Sequence, residues 1–260
     1  MTILQAIILG IIQGLTEFLP ISSSGHLLLF EGIFGIQNNS MFFNVLLHFA
    51  SLLAVVIIFW KDIVDLFKHP FSERVKTFII ATIPTIIIAL IIEKNFEDFI
   101  FTQFLGFCFL ISAIVIFITF LLRKKTKNQV FSVNRKQGFI IGIVQGIAVL
   151  PGISRSGSTI CAALLQGVER EESAKFSFLL SIPVILGAML FETVDGIKSG
   201  FGNINALACI LGFIFSFLVA LFTIKFMMKI VKNGNWVWFS LYLFLLSIFV
   251  ILNNYVFVLF

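Results

Sequence analysis

Six segments of this chain are long, strongly apolar and almost free of charge. Of its 260 residues, 59% are hydrophobic and only 12% are charged, and the mean hydropathy is +1.10. As helices, such segments cross, or nearly cross, a hydrocarbon core of roughly 30 Å, where every backbone polar group must be satisfied internally. The sequence therefore predicts transmembrane helices at 45–60, 78–92, 104–122, 176–191, 206–224 and 237–252.

A polar, glycine-rich motif occurs twice among these apolar segments. An ungapped shift of 132 residues aligns 10–25 with 142–157 and gives eight identities in sixteen positions. Shorter apolar segments flank each copy, at 3–19 and 25–34 for the first and at 138–150 and 157–167 for the second. The segments that follow the motifs are too short to cross a bilayer. Each pair is therefore predicted to form a re-entrant hairpin that turns near the middle of the membrane.

The order of these elements predicts an inverted-topology repeat. A hairpin and three spans are followed by a second hairpin and three spans, and because three is odd, the second half enters from the opposite face. We expect an all-α polytopic membrane protein of ten helices and six spans, with residues 1–260 forming a single integral membrane domain. The repeat halves are about 1–124 and 136–260, joined by the basic stretch 123–137.

The positive charges divide unequally between the two faces of this topology. Fifteen of the 18 Lys and Arg residues fall on one side, Lys94 and Lys198 fall on the other, and Arg155 lies within the second motif. The positive-inside rule makes the first side cytoplasmic, so both termini and the mouth of the first hairpin are predicted to face outward. Loops facing anionic lipid explain the pI of about 9.2 without a nucleic-acid partner. The fifteen residues are Lys61, Lys68, Arg74, Lys76, Arg123, Lys124, Lys125, Lys127, Arg135, Lys136, Arg170, Lys175, Lys225, Lys229 and Lys232.

Both motifs have the composition of an anion-binding site. The serines at 22–24 precede one short helix, those at 154 and 156 precede another, and Ser is a favoured N-cap residue. A helix N-terminus among Gly and Ser binds anions readily, and Arg155 adds a guanidinium suited to phosphate oxygens. Close packing of the hairpin tips is the alternative explanation for Ser24, Gly25, Gly157 and Ser158. The residues predicted to bind phosphate are Ser22, Ser24, Gly25, Ser154, Arg155, Ser156 and Thr159.

The first motif carries candidate catalytic groups. Gln13 and Glu17 are spaced i, i+4 on one helix face, and His26 follows the serines. A carboxylate, a histidine and hydroxyl groups can supply a base, a nucleophile and a leaving-group acid. A salt bridge to Arg155 is a second role open to Glu17, and the two roles can coexist. His48, inside the first span, is interpreted as a packed, hydrogen-bonded residue.

The two copies differ at the positions that carry this chemistry. In the second copy, Val149 stands at the position of Glu17, Arg155 at that of Ser23, and Ser158 at that of His26. The first copy therefore has the acid–base groups and the second the anion-binding guanidinium. This division favours an enzyme over the alternative from another class, a transporter or flippase of anionic lipids or solutes.

At these residues the chain resembles the undecaprenyl-diphosphate phosphatase family, the bacitracin-resistance proteins. That family is recognised by an (E/Q)GxxE motif that continues to SSxGH, and by a second motif, PGxSRSGxT. They stand here as QGLTE at 13–17, SSSGH at 22–26 and PGISRSGST at 151–159. The resemblance extends over essentially the whole chain in length, span count and motif position.

The resemblance implies a membrane phosphatase that converts a polyprenyl diphosphate to the monophosphate and orthophosphate, with a pocket opening toward the outer face. It assigns essential positions to Glu17, His26 and Arg155, and the proposed nucleophile to Ser23, with Gln13 and Gln145 in support. It also implies a divalent cation, Mg²⁺ or Ca²⁺. Because Gln13 stands where many members have Glu, Glu17 is the one carboxylate of the motif left to bind a metal. The implied localisation is the cell membrane, and a homodimer is left open.

Overall fold

The chain is built from helices. The computed structural model describes residues 1–36, 41–95, 98–123, 130–199, 205–234 and 236–257. This part of the chain forms eleven α-helices and a short π-helical turn, and its one β contact is an isolated bridge between Val130 and Val168. The helices are α1 (Ile3–Thr16), α2 (Ser23–Ile33), α3 (Met41–Ile58), α4 (Trp60–Lys68), α5 (Glu73–Asn95), α6 (Asp98–Arg123), α7 (Arg135–Ile147), α8 (Arg155–Leu165), α9 (Arg170–Ser199), α10 (Ala206–Asn233) and α11 (Trp238–Leu252). The predicted all-α class is confirmed.

Five of these helices are long and apolar enough to cross a bilayer by themselves. They are α5, α6, α9, α10 and α11. A sixth crossing results if α3 and α4, which meet at a bend of 75°, are counted as one broken span. Several apolar helices of this length make the chain a multi-pass membrane protein.

Because the bend separates α3 from α4, the described residues form eleven helices, whereas ten were predicted. α3 ends at Ile58 and α4 begins at Trp60, and α4 has one charged face and no buried residue. An amphipathic helix of this kind is most stable along a membrane surface, with its apolar side toward the lipid. Asp62 of α4 also pairs with Lys175 of α9 at 2.5 Å, which holds α4 against the bundle.

Two pairs of shorter helices contain the repeated motif, as predicted. α1 with α2 forms the first hairpin and α7 with α8 the second, and a turn at the motif separates the helices of each pair. α1 begins with a capping box between Thr2 and Gln5, and α7 begins with one between Asn134 and Gln137. These two boxes lie 132 residues apart, so the repeat extends to the way each hairpin starts.

Each hairpin packs its first helix very closely against a long helix of the other half. α1 lies on α10 and α7 lies on α5. A Cβ added at Gly10 would overlap the carbonyl oxygen of Gly212, and one added at Gly142 would overlap that of Ala81. Backbones approach this closely in membranes only where the side chain is absent or very small. The motif glycines therefore set the position of both hairpins in the bundle.

Three aromatic rings pack against one another beside the turn of the first hairpin. Phe18, adjacent to Glu17, is fully buried and meets Phe178 of α9 edge to face, with 5.5 Å between the ring centroids. Phe59, at the bend between α3 and α4, lies 6.3 Å from the same ring. The turn that carries Glu17 is thus held by packing from α3 and α9.

Part of the predicted basic loop lies outside the described residues. Lys124, Lys125 and Lys127 fall in the gap at 124–129, so the join between the repeat halves is described only at 123 and from 130 onward. The division into halves remains a prediction.

The close contact at Gly142 predicts a sharp sensitivity to one methyl group. Gly142→Ala should lower stability by about 1–3 kcal/mol, because the added Cβ overlaps a backbone oxygen that cannot move without shifting α5. Thermal unfolding of the detergent-solubilised protein measures this change. Gly187→Ala is the matched control, since nothing lies within 4 Å of a Cβ at that helical position. Equal unfolding midpoints for the two variants would contradict the packing account.

Candidate active site

A serine side chain from each hairpin tip hydrogen-bonds to the backbone of the other tip. The Ser22 hydroxyl accepts a hydrogen bond from the Gly152 N–H at 3.1 Å, and the Ser156 hydroxyl donates to the Leu19 carbonyl at 2.9 Å. Each tip also begins its second helix in the same way. Ser22 caps α2 by accepting from the Gly25 N–H, and Ser154 caps α8 by accepting from the Gly157 N–H. The predicted N-caps are therefore present in both copies.

Ser22 holds an unusual backbone conformation at this contact. It is the one described residue other than glycine with a positive φ, at 69°. An L-residue in this region is strained and stays there only when its surroundings hold it. The hydrogen bond from Gly152 and the cap on α2 supply that restraint, so the two tips support each other's conformation.

Glu17 and Arg155 form a buried ion pair between the tips. The Arg155 Nη2 donates to Glu17 Oε1 at 2.5 Å, and the two side chains are 13% and 5% exposed. The second terminal nitrogen, Nη1 of Arg155, is buried and has no hydrogen-bond partner among the described residues. A guanidinium has five donors in a fixed fork, so Arg155 retains a donor for a second anion.

The other carboxylate oxygen of Glu17 accepts two further hydrogen bonds. The Ser23 hydroxyl donates to Oε2 at 2.6 Å, and the Gln13 amide nitrogen donates to the same oxygen at 3.0 Å. A short bond between a hydroxyl and a carboxylate is the arrangement in which the acid can take the proton of an attacking oxygen. Glu17 and Ser23 are therefore placed as a base and a nucleophile would be.

A small cavity of about 40 Å³ opens between the tips, and we call it the tip cavity. Ser23 and Ser24 of α2 and Arg155 and Ser156 of α8 occupy the first two helical positions, where backbone N–H groups have no acceptor within the helix. The cavity thus combines two helix N-termini, several hydroxyls and one guanidinium around a single carboxylate. Its lining comprises Thr16, Glu17, Ser22, Ser23, Ser24, Ala148, Ile153, Ser154, Arg155 and Ser156.

Five predicted site residues do not line the tip cavity: Gln13, Gly25, His26, Gln145 and Thr159. Three of them make packing contacts. Thr159 is fully buried and shares a hydrogen bond of 2.6 Å with Ser177 of α9. Gly25 lies against the Phe109 ring and the Gly152 backbone, where a Cβ would overlap both, as the packing alternative expected. Gln145 donates to the Thr85 hydroxyl of α5 at 3.2 Å. Their contacts are those of helix packing.

His26 points away from the Ser23–Glu17 pair. Its Nδ1 lies 2.7 Å from the Ser22 carbonyl and its Nε2 lies 2.7 Å from the Tyr242 hydroxyl of α11. Because a carbonyl only accepts, Nδ1 carries the proton and Nε2 accepts from Tyr242. The imidazole also stacks on the Tyr242 ring and meets Phe109 edge to face. Both ring nitrogens are therefore engaged away from the hydroxyl of Ser23.

Comparison with known proteins assigns the chain to the same family as its motifs do. The family model of the bacitracin resistance protein BacA matches residues 6–249. The chain belongs to the BacA family. The matched region contains both motifs and every residue that lines the tip cavity.

Curated relatives of the BacA-family chain cover nearly its whole length. It is 41% identical to an undecaprenyl-diphosphatase of Halothermothrix orenii, over 97% of this chain and 98% of the relative. It is 39% identical to an undecaprenyl-diphosphatase of Carboxydothermus hydrogenoformans, over 94% of each chain. It is 37% identical to undecaprenyl-diphosphatase 4 of Bacillus cereus, over 95% and 96%.

Two polar residues of this BacA-family site come from helices outside the motifs. His48 of α3 lies 2.9 Å from the Gln13 amide nitrogen and 3.5 Å from Glu17 Oε2, and Tyr242 of α11 bonds His26. Sequence reasoning interpreted His48 as a packed residue and did not single out Tyr242. The signal for His48 is a polar stripe at i, i+4 and i+7 on α3, formed by Asn44, His48 and Ser51, because polar residues inside a span face its interior partners.

The ion pair predicts a stability pattern that a surface pair would not give. Glu17→Gln or Arg155→Gln should each destabilise the protein by about 3–5 kcal/mol, because either leaves a buried charge without its partner. The double variant should recover most of that loss. Thermal unfolding in detergent measures all three. Glu73→Gln and Arg135→Gln are the matched controls, since that Glu–Arg pair is 69% and 51% exposed, and their unfolding midpoints should barely change. Additive losses in the double variant would contradict a direct coupling.

Proposed function

We propose that this protein hydrolyses undecaprenyl diphosphate to undecaprenyl phosphate and orthophosphate. Such a reaction regenerates the lipid carrier for cell-envelope synthesis and confers bacitracin resistance. The observation that carries the proposal is the tip cavity, in which a carboxylate, a hydroxyl and a guanidinium with a free donor meet inside a membrane protein. The relatives' name, undecaprenyl-diphosphatase, supports the same reaction and does not favour a transporter.

The diphosphate would be held between the tips by donors from both hairpins. Arg155 Nη1 has no other partner, and the first-turn N–H groups of α2 and α8 add positive ends of two helix dipoles. A phosphate that binds Arg155 competes with Glu17 for the guanidinium. Substrate binding would then weaken the hold of Arg155 on Glu17 and leave the carboxylate more basic at the moment it is needed.

The hydroxyl of Ser23 is the proposed nucleophile. Its oxygen attacks the terminal phosphorus, the bond from that phosphorus to the bridging oxygen breaks, and undecaprenyl phosphate leaves. Glu17 takes the Ser23 proton, and water then hydrolyses the phosphoserine to release orthophosphate. The 2.6 Å bond between Ser23 and Glu17 supports Glu17 rather than His26 as the base. In the second candidate mechanism, Glu17 activates water directly.

A divalent cation, Mg²⁺ or Ca²⁺, is proposed to accompany the substrate. Glu17 is the one carboxylate that lines the cavity, and the described residues contain no group of three or more His, Cys, Asp or Glu side chains that could hold a metal ion. This donor set fits a cation shared with phosphate oxygens rather than a cage supplied by the protein alone. When bound, the cation would neutralise phosphate charge, with Glu17 and Ser23 as its protein ligands.

The proposed setting is an inverted repeat of six spans in the cell membrane, with both termini outside and the cavity open to the outer face. Three features that occur in both halves support the repeat. They are the capping boxes, the serine N-caps, and the packing of the first hairpin helix on a long helix of the other half, α1 on α10 and α7 on α5. The orientation rests on the excess of Lys and Arg in the loops on one side.

An assay on the purified protein tests the reaction. In detergent, orthophosphate should be released from undecaprenyl diphosphate, and Arg155→Ala and Glu17→Ala should each lower kcat at least about 100-fold, as the loss of a preorganised charge partner does. Arg135→Ala and Glu73→Ala, from the exposed pair, should retain activity. Absence of phosphate release under any Mg²⁺ or Ca²⁺ condition would contradict the proposal, and lipid movement across sealed vesicles without hydrolysis would favour a flippase.

Trapping separates the two mechanisms. Rapid acid quenching during turnover, followed by peptide mass spectrometry, should show a phosphoryl group on Ser23 of the wild-type protein and none in Ser23→Ala. An enzyme that releases phosphate without any phosphoserine, and that keeps substantial turnover as Ser23→Ala, would instead support direct attack by water.

A further inference from the structure

His48 Nδ1 lies 3.5 Å from Glu17 Oε2, and its closer contact is with the Gln13 amide, which bonds the same carboxylate oxygen. The Gln13 Nε2 lies 3.0 Å from Glu17 Oε2 and 2.9 Å from His48 Nδ1, and it lies 3.5 Å from the Ser51 hydroxyl. Gln13 is fully buried, and its amide bridges α3 to the tip of the first hairpin. His48 thus belongs to the same polar cluster as Glu17, although it does not line the tip cavity.

The carboxylate determines which way the Gln13 amide faces. An ionised carboxylate only accepts hydrogen bonds, so the amide atom 3.0 Å from Glu17 Oε2 must be the donor nitrogen. With the amide turned over, its oxygen would face that carboxylate oxygen at the same distance, and two negative ends would repel. Such a reversal would push Glu17 away from Ser23, which bonds the same oxygen.

The orientation of the amide in turn defines the state of His48. Because the nitrogen of Gln13 carries only hydrogens, His48 Nδ1 must offer a lone pair, which places the ring proton on Nε2. Ser51 is the weaker acceptor, because its Oγ lies at 3.5 Å from the amide nitrogen whereas His48 Nδ1 lies at 2.9 Å. His48 is the closer of these two acceptors on α3.

The amide is held this way at the expense of its own oxygen. Gln13 Oε1 is buried and has no hydrogen-bond partner among the described residues. An unsatisfied buried acceptor is unfavourable, and a residue kept only for packing would be expected to avoid it. The acceptors on the nitrogen side, Glu17 and His48, outweigh that cost.

We propose that His48 is a positioning residue for the hydrolysis. Its unprotonated Nδ1 is the second acceptor, beside Glu17 Oε2, that fixes the position of the Gln13 amide nitrogen, so that Glu17 keeps a donor on Oε2 and stays aligned with Ser23. The role in catalysis rests on the proposed function, whereas the arrangement of the ring and the amide does not.

The ring state is tested without any activity measurement. In protein labelled with ¹⁵N-histidine, the two nitrogens of a neutral imidazole have widely separated shifts according to which one carries the proton. His48, assigned by its absence in His48→Phe, should have its proton on Nε2, and His26 provides the opposite tautomer as an internal reference. A proton on His48 Nδ1 would overturn the proposal whether or not the protein is a phosphatase.

Kinetics of matched variants test the positioning role. His48→Phe should lower kcat roughly 10- to 100-fold with KM nearly unchanged, since it removes one hydrogen bond to the group that supports a charged acceptor. His48→Asn should restore most of the activity, because its Oδ1 takes the place of Nδ1. The exposed His69, replaced by Phe, is the control for removing a histidine. In a Gln13→Leu background, His48→Phe should cost no more than about twofold, as expected when two residues act through one path.

Three kinetic outcomes would contradict a positioning role for His48. Wild-type activity in His48→Phe, no rescue by Asn, or losses that multiply in the double variant would overturn the proposal. If the wild-type protein releases no phosphate at all, the proposed function fails, and the tautomer of His48 alone decides this inference.

Discussion

The ion pair between Glu17 and Arg155 is the interaction on which the rest of the site depends. The two residues are 138 positions apart in the chain, and each lies at or beside the turn between two short helices. A buried charge is tolerated only with its partner, so neither tip can form correctly without the other. The strained Ser22 and the crossed hydrogen bonds of Ser22 and Ser156 lie at the same contact. The cavity is therefore lined by residues of both hairpins and exists only where the two tips meet.

A nearly symmetric frame carries chemistry that is not symmetric. Caps, motif glycines and helix packing recur at a shift of 132 residues, and Gly25 approaches Gly152 as Gly157 approaches Pro20. The acid and the hydroxyl come from one copy, and the guanidinium comes from the other. In the proposed mechanism this division lets one tip hold the phosphate while the other presents the reacting atoms. The repeated motif also supplies two helix N-termini in place of one.

Much of the fold and most of the cavity lining followed from local sequence signals. Apolar length predicted the helices, and the Ser and Gly of the motifs predicted the tips, because these features act within a few residues. Helix α4 was not predicted, because the apolar run ends at Trp60 and the charged residues that follow it are typical of a loop. Thr159 and Gln145 were expected at the site since they belong to the motifs, but the helix face they occupy turns them toward Ser177 and Thr85. His48 and Tyr242 come from distant helices, and only the packing of α3 and α11 brings them in.

The most direct measurement of the central claim is a structure of the protein with a methylene-bridged, non-hydrolysable analogue of undecaprenyl diphosphate. The account predicts that the terminal phosphonate lies in the tip cavity, with one oxygen bonded to Arg155 Nη1 and the phosphorus in line with the Ser23 hydroxyl. It also predicts a longer Arg155–Glu17 distance than the 2.5 Å of the free protein. A bound headgroup elsewhere, with the ion pair intact and the cavity unchanged, would contradict the account.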